Sequence, residues 1–157
     1  YTSFPVGGKK AFDYIHEQDA DALRLSQGHI HRLYKQQKKA AELVENAAKT
    51  IPEHKLKIFD DYRHQTVAYL FYIESRQALL RAAAAKIEGK KETHTQHLLN
   101  TLAANQKLLL HLKAKVNNVG YGDQGGNIAD WEFKRLLEGI EDENERIAEL
   151  TGKHHKG

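Results

Sequence analysis

The chain has no cysteine and no methionine, and only two prolines and one tryptophan in 157 residues. Without cysteine there is no disulfide, no thiolate nucleophile and no cysteine-ligated zinc. The same absence fits a reducing or an oxidising compartment. No stretch approaches the roughly 18 consecutive apolar residues of a membrane helix, and no signal-peptide pattern is visible. β-Branched residues are sparse and never alternate over a strand length, which argues against sheet. Because the chain starts at Tyr1 and lacks methionine throughout, it is expected to be a processed mature form, a fragment of something longer, or an engineered chain. A secreted origin is compatible with all three.

What is present is the composition of long helices. Alanine, leucine, lysine, glutamate and glutamine dominate, and the glycines gather near the N-terminus and around residues 120–126. At 17.9 kDa the chain has the size of one domain, with enough residues to bury a core unaided. The formal charge is +3 and unevenly placed. Residues 128–151 hold eight acidic side chains (Asp130, Glu132, Glu138, Glu141, Asp142, Glu143, Glu145 and Glu149) against Lys134, Arg135 and Arg146. A nucleic-acid surface needs positive charge collected on one face. An acidic last helix lying beside basic ones would consume that field internally, so no nucleic-acid partner is expected.

Apolar spacing places the helices. Residues 1–12 read as an extended lead-in, with at most a short helical turn at its end. A first long helix runs from about Asp19 to Lys49 on the seam Leu23, Ile30, Tyr34, Ala41, Val44 and Ala48. Thr50-Ile51-Pro52-Glu53 has the pattern of a capping box with proline in the first turn. It starts a second helix that ends at Gly89. A second capping box at Thr93–Gln96 opens a third helix along Leu98, Leu102, Leu109, Leu112 and Val116. The glycine-rich stretch Asn117–Gly126 reads as a loop. A fourth helix starts near Asn127 or Asp130, follows Phe133, Leu136, Leu137, Ile140, Ile147 and Leu150, and stops at Gly152. Residues 153–157 read as a disordered tail. The expected fold is therefore all-α: one domain, an antiparallel up-down four-helix bundle with long helices. A kink at Thr50 in place of a reversal is the alternative.

Chemistry-bearing patterns are few. Glu-x-x-His, which di-iron bundles carry on two helices, does not occur; the nearest imitation is Asp61-Tyr62-Arg63-His64. His94 and His97 are one turn apart, a spacing that could hold a metal on a helix surface, although their seam places them on the flanks, with His111 outside too. The three serines, Ser3, Ser26 and Ser75, lack a nucleophile-elbow context. In the glycine-rich loop, Tyr121 could stack on a ligand and Asp123 could hydrogen-bond it. Gln37, Arg76 and Asn105 are polar residues at seam positions that could pair across the core and fix register. No catalytic constellation, resident metal or cofactor is expected.

The strongest pointer lies in the second helix, where Val67-Ala68-Tyr69-Leu70-Phe71-Tyr72-Ile73 is apolar on every side. Tyr69, Ile73 and Leu80 belong to the core seam. Val67, Phe71, Ser75, Ala78 and Ala82 then form a second stripe, which Leu110 of the third helix extends. A second apolar stripe on a bundle helix needs cover. The expectation is a non-enzymatic interaction or accessory module that docks through this stripe onto a protein partner, a neighbouring domain or a second copy. The competing reading covers the stripe with Phe12 and the lead-in. Two further readings are a metal- or small-ligand-binding bundle and the helical accessory domain of a larger secreted enzyme.

Overall fold

The structure is a computed structural model that describes residues 8–114 and 130–152, the side chains of 130–134 excepted. It is all-α, with five helices and no strand among the described residues: α1 (Lys9–His16), α2 (Ala20–Ala48), α3 (Glu53–Ile87), α4 (Lys91–Lys113) and α5 (Asp130–Thr151). The four long helices lie close to where the apolar spacing put them. The fifth, α1, includes residues 9–12 of the expected lead-in. Its Phe12 and Ile15 are three apart and face one way, and Phe12 is only 2% exposed.

Local chemistry explains most of the helix ends. The Asp19 carboxylate accepts from the Ala22 amide at 2.8 Å, an N-cap worth about 1 kcal/mol to α2. At the end of α3, Gly89 takes φ 74°. The Lys90 amide reaches the Ala85 carbonyl at 3.0 Å and the Gly89 amide reaches Lys86 at 3.1 Å, the paired bonds of a Schellman turn. The two expected capping boxes do not form. α3 begins one residue after Pro52, so Glu53 is the first helical residue rather than the third, and Thr50 donates back to the Ala47 carbonyl at 3.0 Å instead. α4 begins at Lys91, which places Thr93 inside the helix.

The Thr50 break is a reversal. Partners across it recede from the turn on both sides: Glu45 with Arg63, Gln37 Nε2 donating to the Thr66 carbonyl at 2.9 Å, and Leu23 packed with Leu80. α3 and α4 are antiparallel by the same test (Ser75 with Asn105, Glu74 with Lys107), and so are α4 and α5 (Lys113 with Glu141, Leu102 with Ile147).

α3 is the central helix. It packs against α2, α4 and α1, while α5 packs on α4 and α1 and α2 rests chiefly on α3. Centrality explains the apolar run: Ala68, Tyr72, Ile73, Ser75, Ala78, Leu79, Leu80, Ala82, Ala83 and Ala85 are all buried, which no single stripe could achieve. One cluster joins Ala68, Tyr72, Leu108, Leu109, Leu112, Leu136 and Ile140. Another joins Phe12 to Leu79, Ala82, Leu98, Leu102 and Ile147. Each fully buried Leu, Ile or Phe contributes about 1.5–3 kcal/mol, so α1 is held mainly by Phe12. Lys9 beside Glu145 and Glu149 (3.5 and 3.4 Å) and Arg146 beside Asp13 (3.1 Å) set its orientation on α5.

Candidate functional site

The stripe expected on the outside of α3 lies largely in the interior. Ser75 and Ala82 are 0% exposed and Ala78 is 8%. Two neighbours account for this: Ala82 lies in the cluster that Phe12 of α1 enters, and Ser75 donates to Asn105 of α4. Phe71 is half-buried, edge-on to His111 with ring centroids 5.2 Å apart and capped by Lys107 Nζ at 4.2 Å. Val67 is half-buried and Leu110 alone is well exposed. Tyr121 and Asp123 lie outside the described residues, as does the tail.

The polar seam residues come together. Ser75, Arg76, Asn105, Glu143 and Asn144 form one layer across α3, α4 and α5. Arg76 Nη2 donates to Glu143 Oε2 and, at 2.9 Å, to Ser75 Oγ; Ser75 Oγ donates to Asn105 Oδ1. Asn105 Nδ2 donates to Glu143 Oε2 at 2.7 Å and to Asn144 Oδ1 at 2.9 Å. The Arg76 guanidinium also sits 5.4 Å from the Tyr72 ring centre. Burial works to discharge the guanidinium, but the Glu143 carboxylate outweighs it and holds the pKa above the ordinary arginine value. Glu143, one of the eight acidic residues of the last helix, is 1% exposed, and Asn144 beside it is 0% exposed. Glu143 stands three residues after Ile140 and four before Ile147, so the seam spacing of α5 already marked it. Gln37 makes no part of this layer; it bonds the α3 backbone instead.

Arg76 has a second environment. Together with Leu80, Ile15, Leu25 and Ile30 it lines an open groove of about 420 Å³ between α1, α2 and α3, rimmed by Gln18, Ser26 and His29. The walls are mainly apolar, and Leu25 on its rim is 76% exposed. Arg76 Nε and Gln18 Oε1 are buried and have no hydrogen-bond partner among the described residues, a costly state for polar atoms.

The groove opens beside a basic flank. Residues 22–41 of α2 carry Arg24, Arg32, Lys35, Lys38 and Lys39 and no acidic residue. The acidic α5, expected to lie beside basic helices, makes its ion pairs among the described residues on α1, α3 and α4 and none on α2. It packs on α4 and α1 and also reaches α3, and its carboxylates meet Lys113 of α4, Lys9 of α1 and Arg76 of α3. Arg32, Lys35 and Lys39 are exposed and form no ion pair among the described residues.

The histidines also differ from expectation. His64 and His111 are half-buried and stacked with centroids 3.7 Å apart, and His111 Nε2 donates to the His64 carbonyl at 2.8 Å. His94, on the edge of α4, faces His16 of α1 with the two Nε2 atoms 3.2 Å apart. His16 Nδ1 lies 3.1 Å from the Phe12 carbonyl. A carbonyl only accepts, so Nδ1 carries the proton, and the Nε2 of the neutral ring is left as an acceptor. Burial pushes His16 below the ordinary histidine pKa. It does the same for His94, where the His16, Lys86 and His97 charges add to the effect.

No protein-family model matches the chain, and neither a curated protein nor a solved structure is detectably similar to it.

Proposed function

We propose that the chain is a non-enzymatic interaction module that takes an acidic, apolar-studded protein segment into the groove between α1, α2 and α3. The reading treats the four long helices as an antiparallel up-down bundle left open along α2, with α1 closing part of the gap. The observation that carries it is the groove itself: apolar walls, an exposed Leu25, and two buried polar atoms, Arg76 Nε and Gln18 Oε1, that lack partners among the described residues. Charge complementarity selects the occupant. The exposed cations of α2, without an ion-pair partner among the described residues, favour carboxylates on the incoming segment, and the walls favour leucine-like side chains between them. A neighbouring domain of a longer protein could supply such a segment as well as a separate chain could.

The test is fluorescence anisotropy with a labelled amphipathic peptide carrying leucines on one face and glutamates on the other. Leu25→Asp should weaken binding at least tenfold, a loss of about 1.4 kcal/mol or more. Leu110→Asp, on the far side of α4, should leave it unchanged. Equal binding by the wild type and Leu25→Asp overturns the proposal. So does a DNA oligonucleotide that binds the basic flank more tightly than the peptide and ignores Leu25→Asp, which would make α2 a nucleic-acid surface.

A further inference from the structure

The facing imidazoles of His16 and His94 are 78 residues apart in the chain. They are brought together by the docking of α1, so their spacing is a property of the fold and not of one helix. Two nitrogens bound to one tetrahedral zinc, each about 2.0–2.1 Å from the ion, stand roughly 3.3–3.4 Å apart. The two Nε2 atoms here are 3.2 Å apart. A square-planar ion would draw them in to about 2.9 Å, so the spacing fits tetrahedral coordination better.

The outer shell is also in place. A metal-bound histidine ordinarily donates its remote N–H to a carbonyl or carboxylate, which fixes the tautomer and aims the lone pair. His16 does this through Nδ1 and the Phe12 carbonyl at 3.1 Å, and its ring lies stacked on the Phe12 ring with centroids 4.3 Å apart. Phe12 is in turn locked in the core. The Nε2 of His16 is thereby held towards His94 by the same residue that anchors α1.

We propose that His16 and His94 form a binding site for zinc or a similar divalent transition ion, clamping α1 to α4. Binding needs the Nε2 proton of His94 to move to Nδ1, a tautomer change that releases no proton. It also needs each ring to tip until its lone pair lies about 35° off the line between the nitrogens, given tetrahedral angles at the ion. Among the described residues no set of three metal-binding side chains is already assembled. The remaining positions fall to water and to His97, whose Cβ lies about 5–6 Å from that of His94 by the i, i+3 relation. His97 Nδ1 is buried with no hydrogen-bond partner among the described residues. This site is independent of the groove, and the two proposals stand or fall separately.

The test uses the full chain with His154→Ala and His155→Ala, which removes adventitious binding by the tail. Zinc chloride titrated calorimetrically should bind one ion per chain, and the melting temperature should rise with zinc. His16→Ala and His94→Ala should each weaken binding roughly tenfold or more, while His29→Ala leaves it unchanged. His94→Gln, with helicity checked by circular dichroism, separates lost ligation from lost fold. An independent readout needs no substitution: on adding zinc, the nitrogen NMR shifts of Nε2 in His16 and His94 should move together. Zinc binding unaffected by His94→Gln, no binding above that of a buffer blank, or zinc-induced shifts confined to other histidines would each overturn the proposal.

Discussion

Replacing one member of the Arg76–Glu143 pair should cost far more than replacing both. Glu143 is 1% exposed and the Arg76 side chain 12%, so neither charge can turn to water when its partner is removed. Breaking such a pair costs about 3–5 kcal/mol, because the survivor is left charged in the interior. Glu143→Leu also takes one acceptor from Asn105 Nδ2 and should fall at the upper end of that range. Arg76→Met leaves the Glu143 carboxylate with Asn105 alone and should cost about 3–4 kcal/mol. In the double variant both charges are gone. Ser75, Asn105 and Asn144 still bond one another through the Ser75–Asn105 and Asn105–Asn144 bonds, so the net loss should be only about 1–2 kcal/mol. Urea unfolding measures all four corners of the cycle. With a slope near 2 kcal/mol/M, each single variant should lower the midpoint by about 1.5–2.5 M and the double by under about 1 M. Additive losses across the cycle, or single losses below about 1 kcal/mol, would mean that the pair is neither buried nor coupled in solution.

Phe12→Ala removes the anchor of α1 and should destabilise the fold by about 3–5 kcal/mol; in hydrogen exchange, amides of α1 should lose protection before those of α4. An unchanged urea midpoint would show that α1 does not cover α3. Phe71→Asp places a carboxylate against the His111 ring and the Ala68–Leu108–Leu112 cluster and should lower the midpoint strongly. Leu110→Asp, at a side chain 73% exposed, should change stability by no more than about 0.5 kcal/mol. Comparable effects at the two positions would place both on one outer surface, as the sequence stripe first suggested.

The long helices were legible because their seams repeat at threes and fours and their connections are short. Leu98, Leu102, Leu109 and Leu112 are buried as the spacing required, and so are Leu23, Ala41 and Val44. The eight-residue α1 was foreseen only in the competing reading, which covers the stripe with Phe12 and the lead-in. A helix that short is marginal alone and forms because Phe12 is buried by the rest of the chain, an effect that no local window contains. Missing α1 had a consequence on α3. With four rods assumed, Ser75, Ala78 and Ala82 had to face outwards; in the structure Ala82 packs in the Phe12 cluster and Ser75 joins the polar layer with Asn105. The polar layer was half visible, since Arg76 and Asn105 stand on their seams. Glu143 stands equally on its own, between Ile140 and Ile147, but it was grouped with the other acidic residues of the last helix. The His16–His94 contact joins residues too distant in the chain for spacing to reveal.

Arg76 belongs to both the layer and the groove, and this decides which part of the surface does what. Its charge is already met by Glu143, so the groove floor is close to neutral and can lie beneath apolar side chains without a large desolvation penalty. A carboxylate arriving there gains one further N–H, Arg76 Nε, and no uncompensated cation. The net attraction for an acidic segment must then come from Arg32, Lys35 and Lys39 outside the groove, where salt screens it. Affinity should therefore be set by the walls at Leu25, Ile30 and Leu80, and the rate of encounter by the basic flank of α2. The same division explains how the core can keep a buried ion pair at its centre. The pair joins α3, α4 and α5, while the proposed binding surface is built on α2, the one long helix that takes no part in the layer.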